Sequence, residues 1–196
     1  MMSTAKTYHH GNLKQALITS GLDILAGQGL AGLSLRNCAE RAGVSHTAPK
    51  NHFGNLAGLL TAIAARGYQQ LVDYMQRDLR EGATRVERRN GAFQGYVDFA
   101  LAHPALYELM FSRHKTNSGD PELQAQVSAC FLVLRDAAEG LDWDKSGEAD
   151  ADLRAQMMLW SLVHGFAQLS VSGKFDKDSM KKLNILDVLP DFRYRN

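Results

Sequence analysis

SLRNCAERAGVSHTAPKNHF, residues 34–53, decides the fold. Leu35, Cys38, Ala39 and Ala42 recur at helical spacing, and Ser34 stands where an N-cap belongs. Gly43 sits where the chain must turn, and Val44 returns to the core. Ser45 to Thr47 supply caps for a second helix, and Pro49 is tolerated only in that helix's first turn. The small Ala39 lets the second helix pass close over the first. Two short helices joined this tightly have the sequence form of a helix-turn-helix, whose second helix enters the major groove of DNA. The plain alternative for the same residues is a helical hairpin that binds nothing.

Upstream of this stretch, Leu13, Ala16, Leu17, Gly21, Ile24 and Leu25 predict a helix starting near Gly11-Asn12, with Gly27 and Gly29 as its candidate ends. Three helices around Leu17, Leu25, Leu33, Leu35, Val44 and Phe53 make a small core. About 55 residues is marginal for an independent domain, so this head is expected to lean on the rest of the chain.

Downstream, Leu56, Leu59, Leu60, Ile63, Tyr68, Leu71, Met75 and Leu79 predict a long helix from Asn55 to about Arg80, ended by Gly82. Gly58 and Gly67 each cost roughly 1 kcal/mol against alanine inside it. Thr84 and Glu87 form a capping box opening the next helix, which His103-Pro104 stops. Pro104 starts a short helix, and residues 112–120, SRHKTNSGD, read as a polar loop. Asp120-Pro121 starts a further helix. From about Glu148 to Ser172 runs a helix apolar on both faces, with Leu153, Met157, Trp160 and His164 on one and Leu159, Leu162 and Phe166 on the other. Such a helix is buried on all sides, one face inside the chain and one against a second subunit. A last helix is expected near Ser179–Leu189. The fold class is all-α, a three-helix head with a helix-turn-helix followed by a helical-bundle body.

Composition agrees with a globular protein. Of 196 residues 45% are apolar and 22% charged. No apolar run approaches the roughly 20 residues of a membrane span, and the polar start MMSTAKTYHHGN lacks an apolar signal core. Cys38 and Cys130 both fall on apolar helix faces, which fits a reducing cytoplasm. Through residue 56 the chain carries Lys6, Lys14, Arg36, Arg41 and Lys50 against Asp23 and Glu40. With a net charge of +1 overall, the remainder is therefore mildly acidic. A basic head on an acidic body suits a phosphate-binding module carried by a part that stays off nucleic acid.

Longer matches carry a resemblance. YHHGNLKQAL at 8–17, SLRNCAERAGVS at 34–45, APKNHF at 48–53 and the Leu59-Leu60 pair lie in the head and linking helix. LAHPALYELMF at 101–111 and Trp160-Ser-Leu-Val-His164-Gly165 lie in the body. On these residues the chain resembles the tetracycline-repressor (TetR) family of ligand-responsive transcription regulators, with a C-terminal domain of the type named for its tryptophan–histidine–glycine pattern. The resemblance covers nearly the whole chain. It implies a DNA-binding domain at 1–56 and a ligand-binding and dimerisation domain at 57–196, of which 57–80 is the linking helix. It implies a homodimer paired through helices near 121–140 and 149–172. The two heads would read an inverted-repeat operator in double-stranded DNA, half-sites about one turn, roughly 34 Å, apart. A small molecule in the body would then respace the heads and release the operator, the action of a repressor. The chain departs from the family where Lys50 replaces a usual tyrosine, Asn51 a frequent arginine, and Leu56 a usual lysine.

Candidate roles come from residue chemistry. Ser34 and Ser45 are caps whose helix ends can also meet a phosphate, and Arg36 suits a phosphate. His46, Thr47, Lys50, Asn51 and His52 fall on the outer side of the second helix; lysine pairs with guanine edges, asparagine with adenine, and a threonine methyl with that of thymine. In the body, Phe93, Tyr96, Phe99, Tyr107, Met110, Phe111, Met157, Trp160 and His164, with Phe131, Met158 and Phe166 beside them, are enough to line a pocket for a small apolar effector. Each alone also serves as core, and Trp160 with His164 as a stacked pair. Catalytic, metal and cofactor sites are not expected: there is no metal-spaced His-Glu pair, nucleophile elbow, phosphate loop or CxxC. The alternative readings are a helical protein-interaction or small-molecule-binding module with weakened DNA binding, and, further off, a helical-bundle enzyme.

Overall fold

A computed structural model describes residues 10–143, 149–174 and 183–195, and within them the chain is helical with a single isolated bridge, Leu141 to Tyr194. The head holds α1 (His10–Gln28), α2 (Leu35–Ala42) and α3 (Ala48–Phe53), with a short 3-10 turn at Leu30–Gly32 between the first two. Helix α1 continues through Gly27 and ends before Gly29, whose φ of 66° no β-carbon-bearing residue adopts cheaply. Ser34 caps α2 as its position predicts, its Oγ accepting from Asn37 N–H at 3.0 Å. Val44 N–H returns to Ala39 O at 3.0 Å, so the turn is closed by backbone. Pro49 lies in the first turn of α3. Thr47 occupies the N-cap but does not cap with its side chain, which instead meets Ser45 Oγ at 3.1 Å.

Helix α4 (Leu56–Gln76) is the axis on which head and body are mounted. It stops short of the expected end at Arg80, because the chain leaves the helix into a turn where Ala83 N–H donates to Arg80 O at 3.1 Å. The glycines that weaken its helical propensity mark close approaches. A β-carbon on Gly58 would stand 2.0 Å from Phe53 O, and one on Gly67 would stand 2.7 Å from Met110 Sδ. One lets the end of α3 sit on the first turn of α4, and the other seats a helix of the body against its middle.

The body comprises α5 (Arg85–Ala102), α6 (Pro104–Met110), α7 (Pro121–Ala138) and α8 (Ala151–Val171). The Thr84/Glu87 capping box opens α5, with Thr84 N–H donating to Glu87 Oε2 at 2.8 Å and Glu87 N–H to Thr84 Oγ1 at 3.2 Å. Asp120 Oδ1 caps α7 by accepting from Leu123 N–H at 2.9 Å. Helix α7 ends at Ala138, short of residue 140. Glu148, the expected start of α8, lies outside the described residues. So does most of the first half of the expected closing helix; of the remainder, a single 3-10 turn at Ile185–Asp187 forms, and beyond it the tail is held by Tyr194 OH donating to Ala137 O at 2.9 Å.

One apolar core runs from Leu17 and Leu25 in α1, through Leu59, Ile63 and Leu71 in α4, to Phe93, Leu134 and Leu159 in the body. The head does lean on α4: a β-carbon at Gly21 of α1 would fall 2.5 Å from Ile63 Cδ1. Phe53 is half-buried at the edge of this core. Helix α8 buries Ala155, Leu159, Val163 and Ala167, while Leu153, Met157 and Leu169 remain exposed. No described helix is long and apolar enough to cross a membrane.

Candidate DNA-binding face and effector cavity

The geometry of α2 and α3 makes a polar outer face over an apolar underside. Cys38, Ala39, Ala48 and Pro49 are buried beneath, whereas Arg36, Ser45, His46, Thr47, Lys50 and Asn51 are exposed. His52 is half-buried, its ring 6.3 Å from that of Phe53, and Ser34 is half-buried in its capping role. The structure thus gathers all eight candidate DNA-binding residues along α2, α3 and their turn, six of them open to solvent. Arg41 is committed elsewhere, meeting Asp23 at 3.0 Å. Among the described residues no carboxylate pairs with Arg36 or Lys50. Those two cations are therefore available to phosphates or to guanine edges without first giving up a partner.

The body holds a cavity of about 140 Å³ where α4, α5, α7 and α8 converge, lined by Tyr68, Tyr96, Phe111, Val127, Cys130, Phe131, Leu134 and Trp160. Of the nine candidate effector residues, Tyr96, Phe111 and Trp160 line it. Tyr107 and His164 stand just behind: His164 Nδ1 lies 2.8 Å from Tyr107 OH and 3.0 Å from Tyr96 OH. His164 also packs its ring 4.5 Å from Phe111 and 5.9 Å from Trp160. Phe93 is core, fully buried. Phe99 turns the other way, edge-on to Tyr74 at 5.6 Å and beside His103 at 5.3 Å. Met110 covers Gly67, and its carbonyl accepts from Tyr68 OH at 3.3 Å. Met157 is outside the cavity altogether, 41% exposed on α8.

Tyr68, Val127, Cys130 and Leu134 complete the lining, and sequence reasoning does not single them out. Each sits on an ordinary apolar stripe of α4 or α7, and nothing local separates a residue facing a cavity from one facing a neighbour. Electrostatically the site is neutral. Burial pushes the Cys130 thiol up to about 12 and the Tyr107 phenol up to about 12, and it raises Tyr68 and Tyr96 as well. Burial also lowers His164, which keeps the imidazole uncharged. A cavity of this size and polarity takes a compact apolar molecule: an apolar cavity of about 150 Å³ stays dry and accepts benzene.

A helix-turn-helix head fused through one long helix to a helical body is the architecture of a DNA-binding transcriptional regulator. Residues 90–185 match the Tetracyclin repressor-like, C-terminal domain. Over 168 residues the chain is 24% identical to the HTH-type transcriptional regulator YobS of Bacillus subtilis (strain 168), covering 86% of this chain and 84% of that one. It is 24% identical over 165 residues to the HTH-type transcriptional regulator Rv0681 of Mycobacterium tuberculosis, covering 83% of this chain and 72% of the other. Among solved structures, a protein of unknown function from Rhodococcus sp. RHA1 shares 29% identity at a TM-score of 0.69, covering 94% of this chain and 90% of that one. The TetR-like regulator LfrR of Mycobacterium smegmatis, solved in complex with proflavine, shares the fold at 14% identity and a TM-score of 0.59, covering 89% and 92%. Residues 90–185 thus carry a tetracyclin repressor-like C-terminal domain, and over most of its length the chain is similar to HTH-type transcriptional regulators.

Proposed function

We propose that this regulator is a dimeric repressor that binds an inverted-repeat operator and is released by a small, uncharged, apolar effector held in the body. The path of α4 carries this reading. Its first turn supports the end of α3 through the Gly58–Phe53 approach, and Tyr68, three turns on, forms part of the cavity wall. An occupant that presses on Tyr68 and Phe111 moves the helix on which the head is mounted. Tyr68 OH is tied to the end of α6 at Met110 O, so α4 and α6 respond together.

The DNA-contacting residues in this reading are Arg36, His46, Thr47, Lys50 and Asn51, with Ser34, Ser45 and His52 supporting them. The effector residues are Tyr96, Phe111 and Trp160, joined by Tyr68 and Cys130, with Tyr107 and His164 orienting the Tyr96 hydroxyl. The exposed Leu132 on α7 and Leu153, Met157 and Leu169 on α8 supply the apolar face through which two bodies pair. LfrR, with proflavine bound, supports the idea that this fold accommodates an aromatic guest. The cavity of about 140 Å³ here points to one ring rather than several.

The test is release. Single-ring apolar compounds are titrated into a complex of the protein with a fluorescent operator duplex, and anisotropy is followed. Release by some members of the series, weakened by Trp160→Ala, is the expected result. Release by none of them, from a complex that forms normally, would remove the effector part of the reading.

A further inference from the structure

We infer that the loop joining α6 to α7, residues 112–120, is a second DNA-contacting element, placed to touch the phosphate backbone outside the groove that α3 enters. The inference rests on the DNA-binding function proposed above. It concerns a part of the body, which a basic-head, acidic-body division leaves off the nucleic acid.

Arg113, His114 and Lys115 are consecutive and all exposed, and the loop contains no carboxylate before Asp120. Asp120 is occupied at the N-cap of α7. Among the described residues no acidic group pairs with Arg113 or Lys115, whereas Arg41, Arg77 and Arg88 each meet an aspartate. A run of open cations on an otherwise acidic body attracts a polyanion.

Helix α4 and the start of α1 fix where those cations stand. Asn117 N–H donates to Thr61 Oγ1 at 2.9 Å, and the Thr61 hydroxyl donates to Ala57 O at 2.7 Å, in the first turn of α4. Thr61 lies five residues into α4, a rise of about 7.5 Å from Leu56. That rise is comparable to the length of an arginine or lysine side chain. At the other end of the loop, Lys14 near the start of α1 meets Glu122 in the first turn of α7 at 2.8 Å. The loop is thus held between the starts of two helices that build and carry the head. Lys115 N–H donates to Ser112 O at 3.1 Å, which folds the basic tripeptide into a turn with its side chains outward. Helix α4 itself offers an exposed Leu56 at this level and no cation before Arg66. Among the described residues on this flank, Lys14 is paired with Glu122, and the cations without a carboxylate partner are those of the loop.

The experiment compares wild type, Arg113→Ala/Lys115→Ala and Arg135→Ala on one duplex recovered by selection from random sequence. Affinity is measured against salt concentration. The slope of log K against log salt falls by about 0.9 for each phosphate that is no longer neutralised. The loop variant is expected to bind more weakly at low salt with a shallower slope, and Arg113→Lys/Lys115→Arg to retain the wild-type slope. Arg135 is exposed at the far end of α7, so its replacement removes a cation away from the loop and should leave the slope in place. Wild-type binding with an unchanged slope in the loop variant overturns this contact alone. Equal flattening by Arg135→Ala overturns it too, because the effect would then be one of overall charge. Failure of the wild type to bind any DNA overturns the proposed function and the contact with it.

Discussion

His164 shows how one buried polar side chain sets the chemistry around it. Burial lowers its tendency to take a proton, and the same holds for His103 at the junction of α5 and α6. The folded state therefore prefers both neutral, while the unfolded chain protonates them near pH 6.5. Stability is full above that value and is lost as pH falls through it toward the lowered folded-state values. Thermal melts should accordingly show a lower midpoint at pH 5.5 than at pH 7.5, a difference reduced in His164→Gln. Cys130 makes a second residue-scale prediction. Its thiol, pushed up to about 12 by burial, should resist iodoacetamide at pH 8 in the native protein and react readily on unfolding. Neither behaviour is legible in sequence. A histidine or a cysteine on an apolar stripe gives no sign of whether a cavity, a neighbour or a second subunit faces it. Tyr68 and Leu134 look like any other residue on such a stripe for the same reason.

At the scale of elements, the sequence speaks clearly where a side chain acts on its own backbone. Ser34, Thr84 with Glu87, Asp120 and Pro49 each stand at the helix start their chemistry requires, and Ser34→Ala should cost about 1 kcal/mol by chemical denaturation. It speaks less clearly where an element ends by tertiary competition. Helix α4 stops at Gln76 although Leu79 continues the apolar period, because the turn to α5 takes over, and Leu79 is left exposed. The glycines of α4 illustrate the same limit. Propensity alone makes Gly58 and Gly67 weak points, whereas packing makes them necessary. Gly67→Val should destabilise the protein by about 1–3 kcal/mol, since its added carbons meet Met110 and Leu106. Gly58→Ala should do more specific harm: the new methyl meets the Phe53 carbonyl rather than a yielding side chain, so DNA binding should fall out of proportion to stability.

Across the whole molecule, the double-faced pattern of α8 carries the most weight. The chain buries one side of that helix itself and leaves Leu153, Met157 and Leu169 in solvent, as α7 leaves Leu132. A pair of bodies joined there would place two heads on one duplex. Leu153→Glu/Leu169→Glu should therefore yield a folded monomer by sedimentation, with DNA affinity strongly reduced. Fold class and head are readable because the helix-turn-helix is written in local signals. The cavity is readable only as a surplus of aromatics, because its walls come from helices far apart in the chain.

Repression of the proposed kind requires DNA binding by a dimer. A mobility shift at low salt, with stoichiometry measured on the shifted complex, tests that requirement most directly. The duplexes are the protein's own upstream region and a pool of random sequence carried through selection. A discrete complex with two chains per duplex, and an inverted repeat enriched in the selected pool, is the expected result. No shifted band on either DNA, from folded protein, would contradict it.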